Sequence, residues 1–350
     1  VVGEDERAPV GPRPLQHKKR RRRYRSEVEV AESRPRTMVV TKRPDRSQIA
    51  VLEEGDLVEH YVAHAEDRSI VSSIYLGRVQ NVLPGMEAAF VDIGTGRNAV
   101  LYAGEVGYDE EVEGSRPRIE SMLKSGQPIL VQVTKDPMRH KGARLTTEIS
   151  LAGRYVVFIP ERESLGVSRR LGDDESERLR QITSRIRPTG HGLIVRTAAE
   201  GAGEDDLNRD VDNLLALWED IHQRAQTAQA PALLYTEPEL VIRVVRDLMN
   251  AEIEQLIVDD IEVRDRIRNY IADVTPDLAD RVTLHEGTEG VFDHFKVNEQ
   301  IRRGLDRKVG LPSGGSIVID RTEAMTVVDV NTGRFVGRSN LEETVLRTNL

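Results

Sequence analysis

Residues Leu311–Arg334 read LPSGGSIVIDRTEAMTVVDVNTGR, and this stretch indicates how the end of the chain folds. Its two runs of mostly β-branched residues are Ser316–Asp320 and Met325–Val330. The polar connection Arg321–Ala324 separates them, and short β-branched runs around a polar turn are typical of an antiparallel strand pair. The stretch therefore predicts a β-hairpin.

Polar and apolar residues alternate in the second of these runs. Because successive side chains of a strand point to opposite faces, Asp329 and Asn331 share one face, and Val328 and Val330 share the other. Carboxylate and carboxamide oxygens are ligands that Mg²⁺ prefers, in small number and together with water and substrate phosphate. The spacing suits a magnesium site, but it suits at least as well a solvated strand face that ends in an Asn-Thr-Gly turn.

From Leu311 to Leu350 the chain closely resembles the catalytic segment of the ribonuclease E/G family, through the strings LPSGGSIVID, VVDVNTGR and NLEETVLRTNL. The resemblance implies that residues 306–350 begin a DNase I-like subdomain, in which Asp329 binds Mg²⁺ and Asn331 supports the site. The family's second metal-binding Asp and its zinc-sharing Cys motif lie further downstream. We therefore expect a fragment with half of a catalytic site, and the start at Val1 rather than at Met agrees with this expectation.

The composition limits the class of protein. A chain of 350 residues predicts two or three domains. It contains no cysteine, which excludes disulfides, cysteine nucleophiles and thiolate zinc sites within this span and fits a reducing cytoplasm. No apolar run has the length of a membrane span.

The formal net charge is −9, yet residues 17–25, HKKRRRRYR, are strongly basic. They lie in an arm, residues 1–36, that is rich in Pro, Arg and Glu, and we expect this arm to be disordered. Local basic patches are enough to hold nucleic acid, and Tyr24 could stack on a base. The alternative for the arm is a solubilising tail.

Residues 69–145 are rich in strands and glycines, as in SIYLGRVQNVLPGMEAAFVDIG. This spacing suits a small five-stranded OB barrel, a fold that holds single strands by stacking bases on aromatic side chains beside a cationic groove. The string also resembles the RNA-binding OB domain of the ribonuclease E/G family. That resemblance predicts RNA binding by the barrel.

Phe90 matches a base-stacking Phe of the family, whereas a second family Phe falls at Val100. Tyr75 and Tyr102 are candidates to compensate for the missing aromatic. The alternative for Phe90 is an ordinary residue of the barrel core. Two further residues, Lys135 and Lys141, are predicted to hold the RNA strand.

The string HGLIVRTAAEG reads as an apolar strand that ends in Arg196 and Thr197. The resemblance implies that this pair, with Gly142, forms a pocket for an RNA 5′-monophosphate within a sensor region at 146–234. A guanidinium grips a phosphate with two hydrogen bonds, a hydroxyl adds a third, and a glycine lets the backbone approach closely. The alternative is an arginine at a strand end that pairs with a surface carboxylate.

The remaining segments predict an α+β architecture. Residues 37–68 read as a β-meander, and a long amphipathic helix is expected at 206–228. Within 235–305 we expect a helix at 237–250 with Pro238 in its first turn, then a short strand and further helices. In the resemblance, 37–68 and 235–305 form a split RNase H-like subdomain, into which the OB barrel and the 5′-sensor are inserted before the DNase I-like start.

The predicted function is a Mg²⁺-dependent endoribonuclease that cuts single-stranded RNA in rRNA processing and mRNA decay and is stimulated by a 5′-monophosphate end. The resemblance further implies a homo-oligomer in the full-length protein, with proteins of an RNA-degradation complex as partners. The alternative is a non-catalytic RNA-binding or scaffold module, because one carboxylate alone binds Mg²⁺ weakly.

Overall fold

The computed structural model describes residues 34–65, 69–107, 118–138, 141–250, 252–334 and 341–349. The basic run at 17–25 and Tyr24 lie outside the described residues, as does nearly all of the predicted arm. The segment Pro35–Leu350 forms a unit of its own. Within its described part, no helix has the length and apolar character needed to cross a bilayer.

The described part of the chain mixes strands and helices throughout, as the sequence predicts. The strands are β1 (Arg36–Lys42), β2 (Arg46–Glu53), β3 (Asp56–His64), β4 (Ile74–Leu83), β5 (Ala88–Asp92), β6 (Ala99–Tyr102), β7 (Pro128–Lys135), β8 (Arg144–Thr146), β9 (Leu151–Ala152), β10 (Val156–Ile159), β11 (Leu165–Val167), β12 (Gly192–Val195), β13 (Ala232–Tyr235), β14 (Ile253–Val258), β15 (Val282–Leu284), β16 (Lys308–Gly310), β17 (Ser316–Arg321) and β18 (Thr326–Asn331). The helices are α1 (Ile119–Met122), α2 (Asp173–Ile186), α3 (Glu204–Thr227), α4 (Leu240–Leu248), α5 (Ile261–Val274), α6 (Val291–His294), α7 (Val297–Leu305) and α8 (Leu341–Asn349).

The first sheet joins two segments that are far apart in the sequence. Its strand order is β15-β14-β1-β2-β3, with β1 to β3 antiparallel and β14 and β15 parallel to β1. Met38 and Val40 pack on one face with α4 and α5, and Val39 packs on the other with α6 and α7. Burial on both faces explains why β1 reads as a continuous apolar run.

Strands β4, β5, β6, β8 and β7 close into a five-stranded barrel, because β7 returns to pair with β4. The parallel pairing of β6 with β8 is the one parallel contact among these five strands. This barrel agrees with the predicted OB-like fold. Strand β4 also borders a second core. Tyr75 packs inside the barrel, whereas Ile74 and Leu76 pack outward against the sheet of β9 to β12 and its helices.

The third sheet has the order β11-β12-β10-β9 and packs against α2 and α3. The predicted apolar stripe of the long helix is confirmed, since Val211, Leu214, Trp218 and Ile221 are all buried. Asp210 is buried in the same helix, at 4% exposure. A buried carboxylate needs partners, and these lie at the candidate site.

The predicted hairpin at the end of the chain is present as β17 and β18, with β16 pairing on the far side of β17. All residues of β18 are exposed. In helix α8, Thr344 and Thr348 are buried, and Thr348 lies beside Gly315, while Leu341 and Leu346 are exposed. This small sheet carries the first part of the candidate site.

Candidate functional site

The two predicted catalytic side chains meet on one face of β18. Asn331 Nδ2 donates a hydrogen bond of 2.9 Å to Asp329 Oδ2. Across the hairpin, Val318 stands opposite Asp329 and Ser316 opposite Asn331. No described residue donates to the other oxygen of Asp329, so Oδ1 is open to solvent on an exposed strand.

Three glycines fix the end of β18 where Asn331 lies. A Cβ on Gly315 would stand 2.6 Å from the carbonyl oxygen of Asn331, and one on Gly333 would stand 2.4 Å from the carbonyl oxygen of Gly314. Gly333 and Gly314 also have positive φ angles of 59° and 86°, which favour glycine. The strings PSGG and NTG therefore allow two turns to pack closely beneath the Asp329–Asn331 pair.

The side-chain oxygens of Asp329 and Asn331 suit a hard divalent cation such as Mg²⁺. Mg²⁺ commonly takes one or two carboxylates and completes its octahedron with water and phosphate. In the part of the chain that the structure describes, no group of three or more His, Cys, Asp or Glu side chains could enclose a metal ion. The pair therefore fits as one side of an open magnesium site and not as a complete cage.

The predicted phosphate-binding arginine lies at the end of β12 with one side of its guanidinium already engaged. Arg196 Nη1 donates to the carbonyl oxygen of Gly153 at 2.6 Å and forms an ion pair with Asp247 Oδ1 at 2.9 Å. No described residue accepts a hydrogen bond from Nε or Nη2. The alternative of an arginine paired with a carboxylate thus holds for Nη1, and the Nε–Nη2 edge stays available to an anion.

Thr197 begins the turn that follows β12, and its hydroxyl lies 2.8 Å from the hydroxyl of Ser168. The backbone N–H of Ser168 donates to Val195, which places the loop after β11 beside the Arg196–Thr197 pair. Ser168 could not be predicted from local sequence patterns, because the pairing of β11 with β12 is a long-range contact.

Asp247 of α4 connects Arg196 to a buried ion-pair network. Arg246 contacts Asp247 through Nε at 3.0 Å and Glu237 through Nη1 at 2.9 Å, and its Nη1 also donates to the carbonyl oxygen of Ala152 at 3.0 Å. Burial disfavours ionisation of Asp247, but hydrogen bonds from Arg196 and Arg246 outweigh it and hold the pKa of this carboxyl below its usual range. Asp247 is therefore a carboxylate at neutral pH.

Asp210 holds the backbone of the neighbouring hairpin. Its carboxylate accepts hydrogen bonds from the backbone N–H groups of Arg154 (3.1 Å), Tyr155 (2.8 Å) and Val156 (3.0 Å). Burial raises the pKa of Asp210, and the three N–H groups and the nearby charge of Arg154 oppose the rise. A Cβ on Gly153 would stand 2.5 Å from this carboxylate, so only glycine fits beside it.

Gly142 packs against the start of the barrel strand β6. A Cβ at this position would lie 2.0 Å from the carbonyl oxygen of Asn98 and 3.2 Å from the Cα of Ala99. This close approach explains the glycine by packing. None of the described hydrogen bonds of Arg196 or Thr197 reaches Gly142, so its part in a phosphate pocket stays a prediction.

Phe90 lies on the outer side of β5, because its neighbours Ala89 and Val91 are fully buried in the barrel and Phe90 is only half-buried. Val100 of β6 stands directly opposite Phe90. The suggestion that Tyr75 compensates for the missing aromatic is wrong, since Tyr75 is 6% exposed and belongs to the barrel core. Tyr102 is 40% exposed.

Cationic side chains lie on or next to the barrel strands β7 and β8. Arg144 of β8 places its guanidinium 5.1 Å from the centre of the Tyr102 ring. Lys135 at the end of β7 and Lys141 just before β8 are both exposed. Lys135 pairs in register with Arg144, so the barrel carries cations and an outward aromatic side chain on neighbouring strands.

Comparison with known proteins relates this geometry to one family. The model of the ribonuclease E/G family matches residues 150–350. Ribonuclease G of Escherichia coli strain K12 is 40% identical over 321 residues, which cover 89% of this chain and 66% of that protein. Ribonuclease E of Haemophilus influenzae is 36% identical over 321 residues, and ribonuclease E of Nostoc sp. is 38% identical over 310 residues.

These two ribonuclease E alignments cover 90% and 87% of this chain but 34% and 45% of the relatives. The chain thus spans 66% of the length of the E. coli ribonuclease G and less than half of the two ribonucleases E. The family match covers more than half of the chain and includes the hairpin that carries Asp329 and Asn331. The chain belongs to the ribonuclease E/G family.

Proposed function

We propose that this chain is part of an endoribonuclease that hydrolyses single-stranded RNA in RNA processing and mRNA decay. The observation that carries the proposal is the exposed, hydrogen-bonded pair Asp329–Asn331 at the end of a hairpin that lies within the family match. The names of the relatives, ribonuclease G and ribonuclease E, support an activity on RNA.

In the proposed mechanism, Asp329 would hold Mg²⁺. Asn331 would keep the carboxylate oriented by the hydrogen bond that it donates to Asp329 Oδ2. When bound, Mg²⁺ would supply a Lewis acid that activates water and offsets charge on the scissile phosphodiester. In-line attack of water would leave a 5′-phosphate and a 3′-hydroxyl.

The proposed subdomains follow the sheets. The sheet of β1, β2, β3, β14 and β15, with its helices, would be the split RNase H-like part, and the sheet of β16, β17 and β18 would begin the DNase I-like part. Arg196, Thr197 and Gly142 would bind a 5′-monophosphate. The free Nε–Nη2 edge of Arg196 beside the Thr197 hydroxyl supports this pocket, because a phosphate accepts from both atoms of such an edge.

The proposal is tested by cleavage of a short single-stranded RNA by the full-length protein, with a 5′-monophosphate or a 5′-hydroxyl end and with Mg²⁺ or a chelator. We expect cleavage only with Mg²⁺, and faster cleavage of the monophosphate form. Arg196→Gln should lower that advantage by roughly tenfold, because a charge-assisted hydrogen-bond pair to phosphate is lost. Equal rates on both RNAs by the unaltered protein would refute the 5′-monophosphate pocket.

A second prediction concerns the barrel. Stacking contributes about 1–3 kcal/mol per base, so Phe90→Ala should weaken RNA binding by roughly 5- to 150-fold. Val100→Phe should strengthen binding, because it places a second ring directly opposite Phe90 on the outer face. Fluorescence anisotropy with a labelled RNA measures both, and Val100→Leu is the matched apolar control. An unchanged affinity in Phe90→Ala would remove Phe90 from the RNA-binding surface.

The alternative function is an RNA-binding module without catalysis. It is favoured by one observation, namely that no group of three metal-binding side chains occurs in the described part of the chain. The cleavage assay separates the two functions. Tight RNA binding without Mg²⁺-dependent cleavage by the full-length protein would establish the module and exclude the nuclease.

A further inference from the structure

We propose that Asp247 is a positioning residue for the 5′-phosphate site, so that β12 and α4 build this site together. The inference rests on the proposed role of Arg196 and deepens it. It assigns a function to a carboxylate that lies outside the predicted sensor region at 146–234 and forms an ion pair with Arg196.

The guanidinium of Arg196 is held on one side, and within the described part of the chain its other side is free. Gly153 and Asp247 both engage Nη1, and they leave the whole Nε–Nη2 edge without a protein partner among the described residues. That edge is the planar two-donor fork that matches two oxygens of a phosphate. Two fixed contacts on Nη1 therefore set the direction in which the fork points.

Asp247 is held in turn by a buried partner, although its own side chain is 38% exposed. Its partner Arg246 is only 10% exposed in its side chain and is bound on another side by Glu237, which is 11% exposed. Arg246 also donates to the carbonyl oxygen of Ala152, the residue before Gly153. Helix α4 thus contacts the β9–β10 hairpin, whose Gly153 carbonyl binds Arg196. The two partners of Arg196 Nη1, Gly153 and Asp247, are therefore joined through Arg246.

The negative charge of Asp247 could also oppose phosphate binding, since a carboxylate repels a phosphate. Its charge, however, is shared between Arg196 and Arg246, and it lies on the Nη1 side, away from the free fork. Preorganisation of a long, flexible side chain lowers the cost of binding. We therefore expect that loss of Asp247 weakens 5′-phosphate recognition.

The test measures equilibrium binding of two short single-stranded RNAs, one with a 5′-monophosphate and one with a 5′-hydroxyl, to the full-length protein in chelator. The quantity of interest is the ratio of the two Kd values. We expect Asp247→Asn to lower this preference roughly tenfold, toward that of Arg196→Gln, with unchanged affinity for the 5′-hydroxyl RNA. Asp247→Glu, which keeps the charge, should retain more of the preference than Asp247→Asn.

Asp280→Asn is the matched control, because it removes an exposed carboxylate that pairs with Arg268 at 3.0 Å outside this network. It should keep the unaltered ratio. If Arg196→Gln loses the preference but Asp247→Asn keeps or exceeds it, the positioning role is overturned. Equal weakening for both RNAs in Asp247→Asn also overturns it, since it shows only general destabilisation. If the unaltered protein has no preference, or Arg196→Gln keeps it, the 5′-phosphate pocket itself has failed.

Discussion

Asp329→Asn is expected to reduce Mg²⁺-dependent RNA cleavage by at least about 100-fold while RNA affinity stays unchanged. The substitution is nearly isosteric, so the exposed strand β18 and its pairing with β17 should persist. What is lost is the negative charge that would hold the cation. RNA binding is expected to rest on the barrel and on the Arg196 pocket, neither of which includes Asp329.

The measurement is single-turnover cleavage of a labelled RNA over a range of Mg²⁺ concentrations, together with its Kd in chelator. Asp320→Asn is the control, because Asp320 lies in the same small sheet and forms an exposed ion pair with Arg307 at 2.6 Å. It should cleave at the unaltered rate. Full activity in Asp329→Asn would show that the metal, if one is needed, is held elsewhere.

Asp210→Ala should lower the free energy of unfolding by about 3–5 kcal/mol. Three backbone N–H groups, those of Arg154, Tyr155 and Val156, would lose the carboxylate that accepts their hydrogen bonds, and each unsatisfied buried donor is costly. The damage should extend to function, because this hairpin supplies the Gly153 carbonyl that contacts Arg196. We therefore expect weaker discrimination of the 5′ end as well.

Chemical denaturation followed by circular dichroism measures the first effect, and the binding ratio of 5′-monophosphate to 5′-hydroxyl RNA measures the second. Asp212→Ala is the control, since Asp212 is an exposed residue of the same helix α3. Its substitution should change stability by less than about 0.5 kcal/mol. A similar small change in Asp210→Ala would mean that the hairpin backbone does not depend on this carboxylate.

The ion-pair network around Asp247 gives a physical basis for communication between parts of the chain. Arg196 and Gly153 belong to the third sheet and its connections, whereas Asp247 and Arg246 belong to a helix that packs on the first sheet. A ligand on Arg196 would therefore act on a group that both parts share. The experiment on Asp247 tests this coupling at the contact that Arg196 itself makes with α4.

The local features of the fold followed from the sequence. The hairpin β17–β18 was predicted because alternation, β-branched residues and a polar turn are all properties of neighbouring residues. The stripe of α3 was predicted because its buried residues recur at helical spacing. The proximity of Asp329 and Asn331 was also predictable from local spacing, because residues two apart on a strand share one face.

Some helix boundaries were less accurate. The helix expected at 237–250 is observed as Leu240–Leu248, and Glu237 stands before it, where it pairs with Arg246. Pro238 has no N–H to donate and lies ahead of the helix rather than in its first turn. Glu237 therefore forms a tertiary ion pair, although the local pattern predicted that it lies in the helix.

Local sequence patterns predict the hairpin with its Asp–Asn face and the OB-like barrel, and the resemblance predicts the family. The burial of Tyr75 in the barrel core, the outward position of Phe90 opposite Val100 and the contact of Asp247 with Arg196 emerge from the folded structure. Alternation along a strand shows which residues share a face but not which face is covered, and β4 is covered on both by residues far away in the chain.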